Sequence, residues 1–562
     1  MKPRGVAVFS VILALLFASA PAVRSAGPGE KGAVPAHPDD KTVVHVLNRI
    51  GFGPAPGDVE KVRQIGLEKF IDRQLHPEQI GDDGIAARLA PLETLTKSSR
   101  ELADSYFVPA QMERRRAQQQ AGSQGGDPPP DKREMMRTPE QMQLMQAQRS
   151  VFTELAQQKI LRAAYSERQL NEVMVDFWFN HFNVFAGKGQ VRTYLTEYER
   201  DVIRPNVFGH FRDLLGATSH SPAMLFYLDN WQSAAPAGAA TSAAANRPRF
   251  GRGLGRGRGL GAPPQGRTLA DLPPAAQKRA PRGLNENYAR ELMELHTLGV
   301  DGGYTQQDVQ EVARAFTGWT IANPRQGGGF RFEPRMHDDG EKIVLGHRIK
   351  AGGGQHDAET VLDILASHPS TARFIATKLT RRFVSDQPPA SLVERAAARF
   401  RETKGDIREV VRTIITSPEF FAPAAYRAKV RTPFEFVAAA VRAAGIDAVN
   451  AMPLVQAMRE LGMPPYQCQP PTGYADRADA WVNTGALLSR MNFAVALTDG
   501  KLRALRTTGA TPVASADAAR TTLMTEVLAG DVSEATRATV AKASTAPQAM
   551  ALLLGSPEFQ KR

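Results

Sequence analysis

The feature that most restricts the fold of this chain is the return of apolar side chains at helical spacing, clearest in residues 283–319. After Asn285, Leu292 and His296 fall on one arc of a helical wheel, while charged side chains line the opposite arc. Thr305 and Asp308 then form a capping-box pattern that opens a second helix. Because the same spacing recurs along the chain, we predict a mainly α fold, either a multi-helix bundle or a superhelical array.

Three stretches depart from this helical pattern. Residues 330–345 read FRF, then HDDG, then KIVL, which predicts one short β-hairpin. Residues 111–148 are rich in Gln, Arg and Met, and we predict a flexible insertion there with a helix at either end. Residues 232–282 hold many Gly, Pro and Arg but few large apolar side chains. Burial there cannot offset the entropy of ordering, so we predict a second, disordered insertion.

These breaks divide the chain into consecutive segments. A short internal repeat, IITSPEF at 414–420 and LLGSPEF at 553–559, places Ser, Pro and Glu where a helix begins. It suggests two similar helical units. With 562 residues, the chain can bury a sizeable core. The predicted segments are a signal peptide (1–22), a tether (23–40), an N-terminal helical region (41–231), the disordered insertion (232–282), a central helical region (283–422) and a C-terminal helical region (423–562).

The N-terminus has the pattern of a secretory signal. Lys2 and Arg4 precede an apolar run at residues 6–18, and an Ala-x-Ala site ends at Ala22, after which we expect cleavage, with Ala26 as the second candidate. No later stretch is apolar enough for a transmembrane anchor. Cys468 is the single cysteine, so no disulfide can form within the chain. We therefore expect an exported protein of the periplasm, the cell surface or the medium that is stabilised by packing alone.

The net charge of +12 is concentrated in one segment. Residues 232–282 contain nine Lys or Arg and one acid, a balance of +8, which leaves +4 for the rest of the chain. The Arg-Gly run resembles a nucleic-acid-binding tail, but an exported protein rarely meets nucleic acid, so a solvated loop is the favoured interpretation. Nucleic acid is therefore an unlikely partner.

Histidines on apolar helix faces suggest the best candidate site. His181 and His296 each lie on the buried side of a predicted helix, where the commoner role is a core histidine bonded to a backbone carbonyl. The alternative is a shared polar pocket that holds a divalent transition metal, with His181, His296, His337 and Asp338 as candidate ligands. The full candidate pocket consists of His181, Glu291, His296, His337, Asp338 and His356.

Other catalytic motifs are weak or absent in the sequence. Glu291 lies at the border of the apolar arc, away from His296, so the pair does not follow the zinc-protease pattern. No G-x-S-x-G elbow is present, and Cys468 has no neighbouring cation that would lower its pKa. Tyr466, Tyr474 and Trp481 either stack on sugar rings or a partner loop, or pack a proline-rich connection. The sequence leaves enzymatic activity undecided.

Several long motifs together resemble a known bacterial family, domain of unknown function 1800. They are FWFNHFNV, GLNENYARELMELHTLGVDGGYT, EVARAFTGW, HDDGEKIVLG, HPSTARFIATKLTRRFVSD and TIITSPEFF. The resemblance runs from about residue 43 to the end of the chain, interrupted by the two insertions. It implies an exported, mainly helical protein without a settled reaction, so no catalytic residue carries over. It also implies a partner from a second exported family, domain of unknown function 1501, which is similar to sulfatases.

Three functional hypotheses follow from these observations. The first is an exported helical protein that binds or assembles with another exported, sulfatase-like protein of the cell envelope. The second is a metal-dependent hydrolase with a His/Asp site between helices. The third and weakest is nucleic-acid binding through the Arg-Gly insertion.

Overall fold

The computed structural model describes residues 33–123, 138–236, 239–241, 283–502, 505–506 and 515–562. The predicted signal peptide, residues 23–32 of the tether and the middle of both insertions lie outside these ranges. Within them the fold is mainly α, as predicted. None of the helices in the described ranges has the length and apolar content needed to span a bilayer.

The N-terminal region is helical along nearly all of its described length. Its longest helix, Pro139–Tyr165, opens with a capping box between Thr138 and Gln141. The next helix, Gln169–His181, is buried on nearly every side and so lies inside the core. The α-helices are Asp40–Ile50, Asp58–Ile65, Leu67–Leu75, Asp83–Leu89, Ser99–Leu102, Val108–Ser123, Pro139–Tyr165, Gln169–His181, Val191–Glu197, Phe211–His220 and Pro222–Tyr227, with π-helical turns at Ala103–Phe107 and Tyr198–Ile203.

The central region combines helices with short β-hairpins. The capping box predicted at Thr305 is confirmed, since its side chain accepts from the Asp308 N–H and the Asp308 carboxylate accepts in return from the Thr305 N–H. Helix Glu286–Glu291 continues into a π-helical turn, Leu292–Thr297, that carries His296. The other helices are Gln306–Ala315, His356–Ser367, Pro369–Phe383, Ala390–Glu402, Ile407–Ile415 and Pro418–Phe421.

The single hairpin predicted for residues 330–345 is wrong. Phe330–Phe332 pairs antiparallel with Trp319–Ile321, which precedes it in the chain. Lys342–Val344 pairs instead with His347–Ile349, which follows it. A third short antiparallel pair joins Asp447–Ala448 to Leu505–Arg506.

Turn chemistry explains the corrected pairing. Leu345 and Gly346 connect the second hairpin with φ values of 49° and 79°, the left-handed backbone that two-residue hairpin turns require. HDDG is not a hairpin turn, because the strands before and after it do not pair with each other. The carboxylate of Asp338 lies 2.9 Å from Arg314 Nε, so this segment is anchored to helix Gln306–Ala315.

The C-terminal region contains the second of the two SPEF segments, and both begin a helix as predicted. Ser417 accepts from the Phe420 N–H, and Ser556 accepts from the Phe559 N–H, each at 3.2 Å. The helices of this region are Pro433–Ala443, Met452–Glu460, Thr484–Thr498, Ala516–Thr522, Glu534–Ala541, Ala546–Leu554 and Pro557–Gln560, with a π-helical turn at Leu523–Val527.

One hydrophobic core joins the three helical regions. Val43 and Trp178 from the N-terminal region, Phe383 from the central region and Phe559 from the C-terminal region all belong to it. Arg442 of the C-terminal region also donates hydrogen bonds to the Gly53 and Ala164 carbonyls of the N-terminal region. The regions predicted from the sequence are therefore not packed as separate units.

A buried ion cluster lies where the central and C-terminal regions meet. Glu435 accepts from Arg382 Nη1, and its Oε1 lies 3.0 Å from Arg562 Nη2. Burial opposes ionisation of Glu435, but the two guanidinium groups outweigh it and hold the pKa of this carboxyl well below its ordinary range. The cluster links helix Pro369–Phe383 to helix Pro433–Ala443 through charge.

The described ends of the tether and of both insertions are ordered. The Ala33 N–H donates to the Thr416 carbonyl at 2.9 Å, so the described end of the tether contacts the helical body. Helices Val108–Ser123 and Pro139–Tyr165 flank the first insertion, as predicted. At the second insertion, the Ala234 N–H donates to the Gly283 carbonyl at 3.1 Å. The two ends of this insertion therefore meet, while residues 242–282 lie outside the described ranges.

Candidate functional site

His181 stands at the C-terminal end of the buried helix Gln169–His181. Its Nε2 lies 3.1 Å from the His296 carbonyl oxygen, and its Nδ1 lies 2.9 Å from Lys378 Nζ. A protonated lysine can only donate, so Nδ1 accepts and Nε2 donates to the carbonyl. Burial, and then the charge of Lys378, keeps the pKa of His181 well below its ordinary range. His181 is therefore a neutral imidazole in one defined tautomer.

His296 packs beside His181, with their ring centroids 6.3 Å apart. Burial, followed by the charge of Lys378, lowers the pKa of His296 to about 3. Its Nε2 is buried without a hydrogen-bond partner in the described part of the chain. The expectation of a carbonyl-bonded core histidine is thus confirmed for His181 and not for His296.

Two asparagines, one in the last turn of helix Gln169–His181 and one just after it, hold a proline-rich loop beside His181. The Asn180 side chain donates to the Tyr474 carbonyl and accepts from the Tyr474 N–H, at 2.8 and 2.7 Å. Asn183 donates to the carbonyls of Cys468 and Pro470. Gly473 has a φ of +74°, and a Cβ there would lie 2.2 Å from the Asn180 carbonyl oxygen, so the loop needs glycine at this position.

A cleft of about 260 Å³ lies between this loop and helix Pro369–Phe383. His181 and Lys378 form part of its wall, and the aromatic rings of Phe177 and Tyr474 form another part. The lining residues are Phe177, Asn180, His181, Lys378, Arg381, Thr472, Gly473, Tyr474, Ala475, Asp476 and Arg477.

The cleft carries an excess of positive charge. Among the described residues of the lining, Lys378, Arg381 and Arg477 contribute three cations and Asp476 is the only carboxylate. Asp476 is already engaged, because its Oδ1 lies 2.9 Å from the buried Lys429 ammonium group. Burial, followed by the charge of neighbouring Arg381, lowers the pKa of Lys378 to about 8. Such a site favours an anionic group that approaches from solvent.

Exposed apolar side chains follow the cleft loop along the chain. Trp481 Nε1 donates to the Ala475 carbonyl at 2.8 Å, which ties the cleft loop to the start of helix Thr484–Thr498. That helix buries Phe493 and Leu497 and leaves Leu488 62% exposed on the opposite side. The apolar face consists of Val482, Leu487, Leu488 and Val495, which are all exposed.

The remaining predicted site residues form a second, separate cluster or stand alone. His337 Nδ1 lies 2.8 Å from the Thr317 carbonyl oxygen, and its Nε2 lies 3.2 Å from the Asp357 carboxylate. Lys342 Nζ also contacts Asp357, at 2.5 Å, and Asp338 pairs with Arg314 as described above. These buried contacts fasten the second hairpin to helices Gln306–Ala315 and His356–Ser367.

The predicted six-residue pocket therefore does not form as one site. The two ring nitrogens of His337 contact Thr317 and Asp357, which both belong to the second cluster. His356 is exposed, because the helix it begins turns the next residue, Asp357, inward. Glu291 is half-buried and does not line the cleft. Across the described ranges, no group of three or more His, Cys, Asp or Glu side chains is arranged to hold a metal ion.

Lys378 is not among the site residues predicted from the sequence, although its position in the sequence pattern indicates a buried lysine. Lys378 follows Phe374 by one helical turn and lies next to Leu379, so it is a charged residue on the apolar side of its helix. Such a placement indicates either a buried ion pair or a functional amine. The convergence of Lys378 with His181 and the 472–477 loop depends on tertiary packing and has no signal in local spacing.

The family described as "Protein of unknown function (DUF1800)" matches residues 45–561, which is nearly the whole chain. The chain belongs to the DUF1800 family. No curated protein and no solved structure matched it. In this DUF1800 protein, four of the six motifs that carry the family resemblance contribute to one of the two clusters. FWFNHFNV and KLTRR meet at the cleft, whereas EVARAFTGW and HDDGEKIVLG form the buried second cluster.

Proposed function

We propose that this DUF1800 protein is an exported binding protein that holds an acidic segment of another exported protein, with the cleft around Lys378 as its binding site. The observation that carries the proposal is the unbalanced charge of the cleft. Within the described ranges, neither Lys378 nor Arg381 lies within ion-pair distance of a carboxylate. Arg477 reaches only the exposed Asp479, at 3.5 Å.

The exposed apolar face supports a protein as the occupant. Exposed apolar side chains beside a polar site are typical of protein interfaces, where a buried apolar centre supplies affinity and charges supply orientation. Leu488 and Val495 lie two helical turns apart on the side of their helix that faces away from the core. The partner segment therefore carries an Asp or Glu side chain flanked by apolar residues.

Export and the identity of the partner rest on the sequence. The basic and apolar N-terminal pattern supports export, and the family resemblance supports a sulfatase-like partner from the domain of unknown function 1501 family. We propose that this partner supplies the acidic segment.

A titration of purified full-length protein with the purified sulfatase-like protein tests this proposal. We expect Arg381→Glu and Leu488→Asp each to weaken binding at least about tenfold, and we expect salt to weaken it as well. Arg348→Glu is the matched control, because Arg348 is exposed on the second hairpin and contributes nothing to the cleft. Equal affinities for all three variants, or no binding by the native protein, would contradict the proposal.

The two alternative functions gain less support. A metal-dependent hydrolase through His181, His296, His337 and Asp338 lacks a converging ligand set in the described ranges. Nucleic-acid binding depends on residues 247–267, which lie outside those ranges. Elemental analysis of gently purified, metal-supplemented protein and a salt-dependent nucleic-acid titration check these two hypotheses.

A further inference from the structure

Lys378 differs from the other inward-facing lysines of the described core. Lys159, Lys342 and Lys429 each pair with an aspartate at 2.7, 2.5 and 2.5 Å. Lys378 instead directs its Nζ to the neutral Nδ1 of His181 at 2.9 Å. Its amine is therefore partly buried and, in the described ranges, has no carboxylate within ion-pair distance.

This arrangement makes the neutral, nucleophilic form of the Lys378 amine easier to reach than in an exposed lysine, while the protonated form remains the larger fraction at pH 7. Lys378 is one of the residues that line the cleft. Burial and Arg381 lower its pKa to about 8. Compared with an ordinary lysine, the neutral fraction at pH 7 rises by about 300-fold, since each pKa unit changes that fraction tenfold. Desolvation beside another cation is a known way to activate a lysine nucleophile.

The rest of the cleft indicates the class of ligand. Arg381 and Arg477 also line the cleft and can neutralise an anionic group of a molecule whose other end reaches Lys378. The volume, about 260 Å³, is at the small end for ligand cavities and suits a compact molecule.

We propose that Lys378 forms an imine with a small aldehyde or ketone that carries an anionic group, such as a 2-oxo acid. This inference rests on the same cleft as the proposed function but does not require a protein occupant. It assigns the cleft a covalent chemistry in addition to charge recognition.

The step balances without an oxidant or reductant. The Nζ lone pair attacks the carbonyl carbon, and the C=O π electrons move to oxygen. One proton passes from nitrogen to that oxygen to give a carbinolamine. The C–O bond then breaks as the nitrogen loses its second proton, and the products are the C=N bond and one water molecule.

Reductive trapping of the full-length protein tests this proposal. Glyoxylate, a small anionic aldehyde, is added with cyanoborohydride, and carboxymethylation of each lysine is followed by peptide mass spectrometry. We expect Lys378 to react at least about tenfold faster than Lys501, whose side chain is 68% exposed. An equal or slower rate at Lys378 would overturn the inference.

A second arm tests the anionic part of the ligand. Propionaldehyde has a similar size and no charge. The glyoxylate preference of a lysine is the ratio of its labelling rate with glyoxylate to its rate with propionaldehyde, and we expect this ratio to be larger at Lys378 than at Lys501. Arg381→Gln is expected to reduce that preference at least about threefold, while labelling of Lys501 stays constant. An unchanged preference would overturn the requirement for an anion.

The outcomes separate this inference from the proposed function. Partner affinity is read by titration, whereas imine formation is read by mass spectrometry on the protein alone. Partner binding without selective labelling of Lys378 would contradict the imine alone. Selective labelling in a protein that binds no partner would contradict the proposed function alone.

Discussion

At the scale of single residues, Glu435 is the carboxylate on which the buried ion cluster depends. It lies between Arg382 and Arg562, and all three side chains are almost completely buried. Removing one member of such a cluster leaves the others charged, buried and unpaired. We therefore expect Glu435→Gln to lower the free energy of unfolding by about 3 to 5 kcal/mol in urea titrations. Glu402→Gln, at an exposed pair 3.7 Å from Arg399, is the control and is expected to change it by less than about 0.5 kcal/mol.

The same carboxylate gives the stability a predicted dependence on acid pH. The arginines lower the folded-state pKa of Glu435, so in acid the unfolded chain binds a proton that the folded chain does not. This contribution is complete above the ordinary glutamate pKa and is lost as pH falls below it. We expect urea midpoints to fall between about pH 5 and pH 3 in the native protein and to fall less in Glu435→Gln. Parallel pH profiles for the two proteins would contradict this assignment.

Single-residue predictions succeeded where helix phase alone determined burial. The wheel placed His181 and His296 inward, and both are buried. It could not show that His337 would bond to Thr317 and Asp357, because that contact joins elements distant in sequence. At the start of helix His356–Ser367, the inward residue is Asp357 rather than His356, since the helix begins at the histidine and turns the aspartate toward the core.

At the scale of elements, the two SPEF segments support a direct prediction. Ser417 and Ser556 each cap a four-residue helix whose phenylalanine is buried. We expect Ser417→Ala and Ser556→Ala each to cost about 1 kcal/mol of unfolding free energy in urea titrations, because the N-terminal amides lose their acceptor. Ser367→Ala is the control, since the Ser367 hydroxyl bonds only to carbonyls of its own helix. Equal losses for all three variants would contradict the capping role.

Helices were predictable from the sequence and strand pairing was not. A helix is specified by local spacing and caps, as at Thr305, so its signal lies within a few turns. Pairing of FRF depended on Trp319–Ile321, a segment that looked like the end of a helical motif. The two-residue turn at Leu345 and Gly346 was a usable signal for the second hairpin.

At the scale of the whole molecule, the second insertion is expected to be dispensable for folding. Its flanks are already joined, because the Ala234 N–H donates to the Gly283 carbonyl. Loop-closure entropy changes only slowly with length. We expect replacement of residues 242–282 by a short Gly-Ser linker to change the unfolding free energy by less than about 1 kcal/mol. A loss of several kcal/mol in urea titrations would show that the insertion packs on the core.

The shared core was the least predictable feature of the molecule. The sequence predicts three helical regions, but a single core includes side chains from all of them. Contacts such as Arg442 with Gly53 join residues almost four hundred positions apart, and local periodicity carries no information about them. The cleft depends on the same long-range packing, since it brings His181, Lys378 and Tyr474 together.

We propose that the cleft around Lys378 and the exposed apolar face that follows it form a binding site for an exported partner. Photo-crosslinking in living cells can detect such a partner, with a photoreactive residue at Leu488 and, as a control, at Ile343, an exposed position on the second hairpin. We predict one defined cross-linked product from Leu488, containing the sulfatase-like protein, that disappears in Arg381→Glu and is absent from Ile343. The same product from both positions, or its persistence in Arg381→Glu, would contradict the claim.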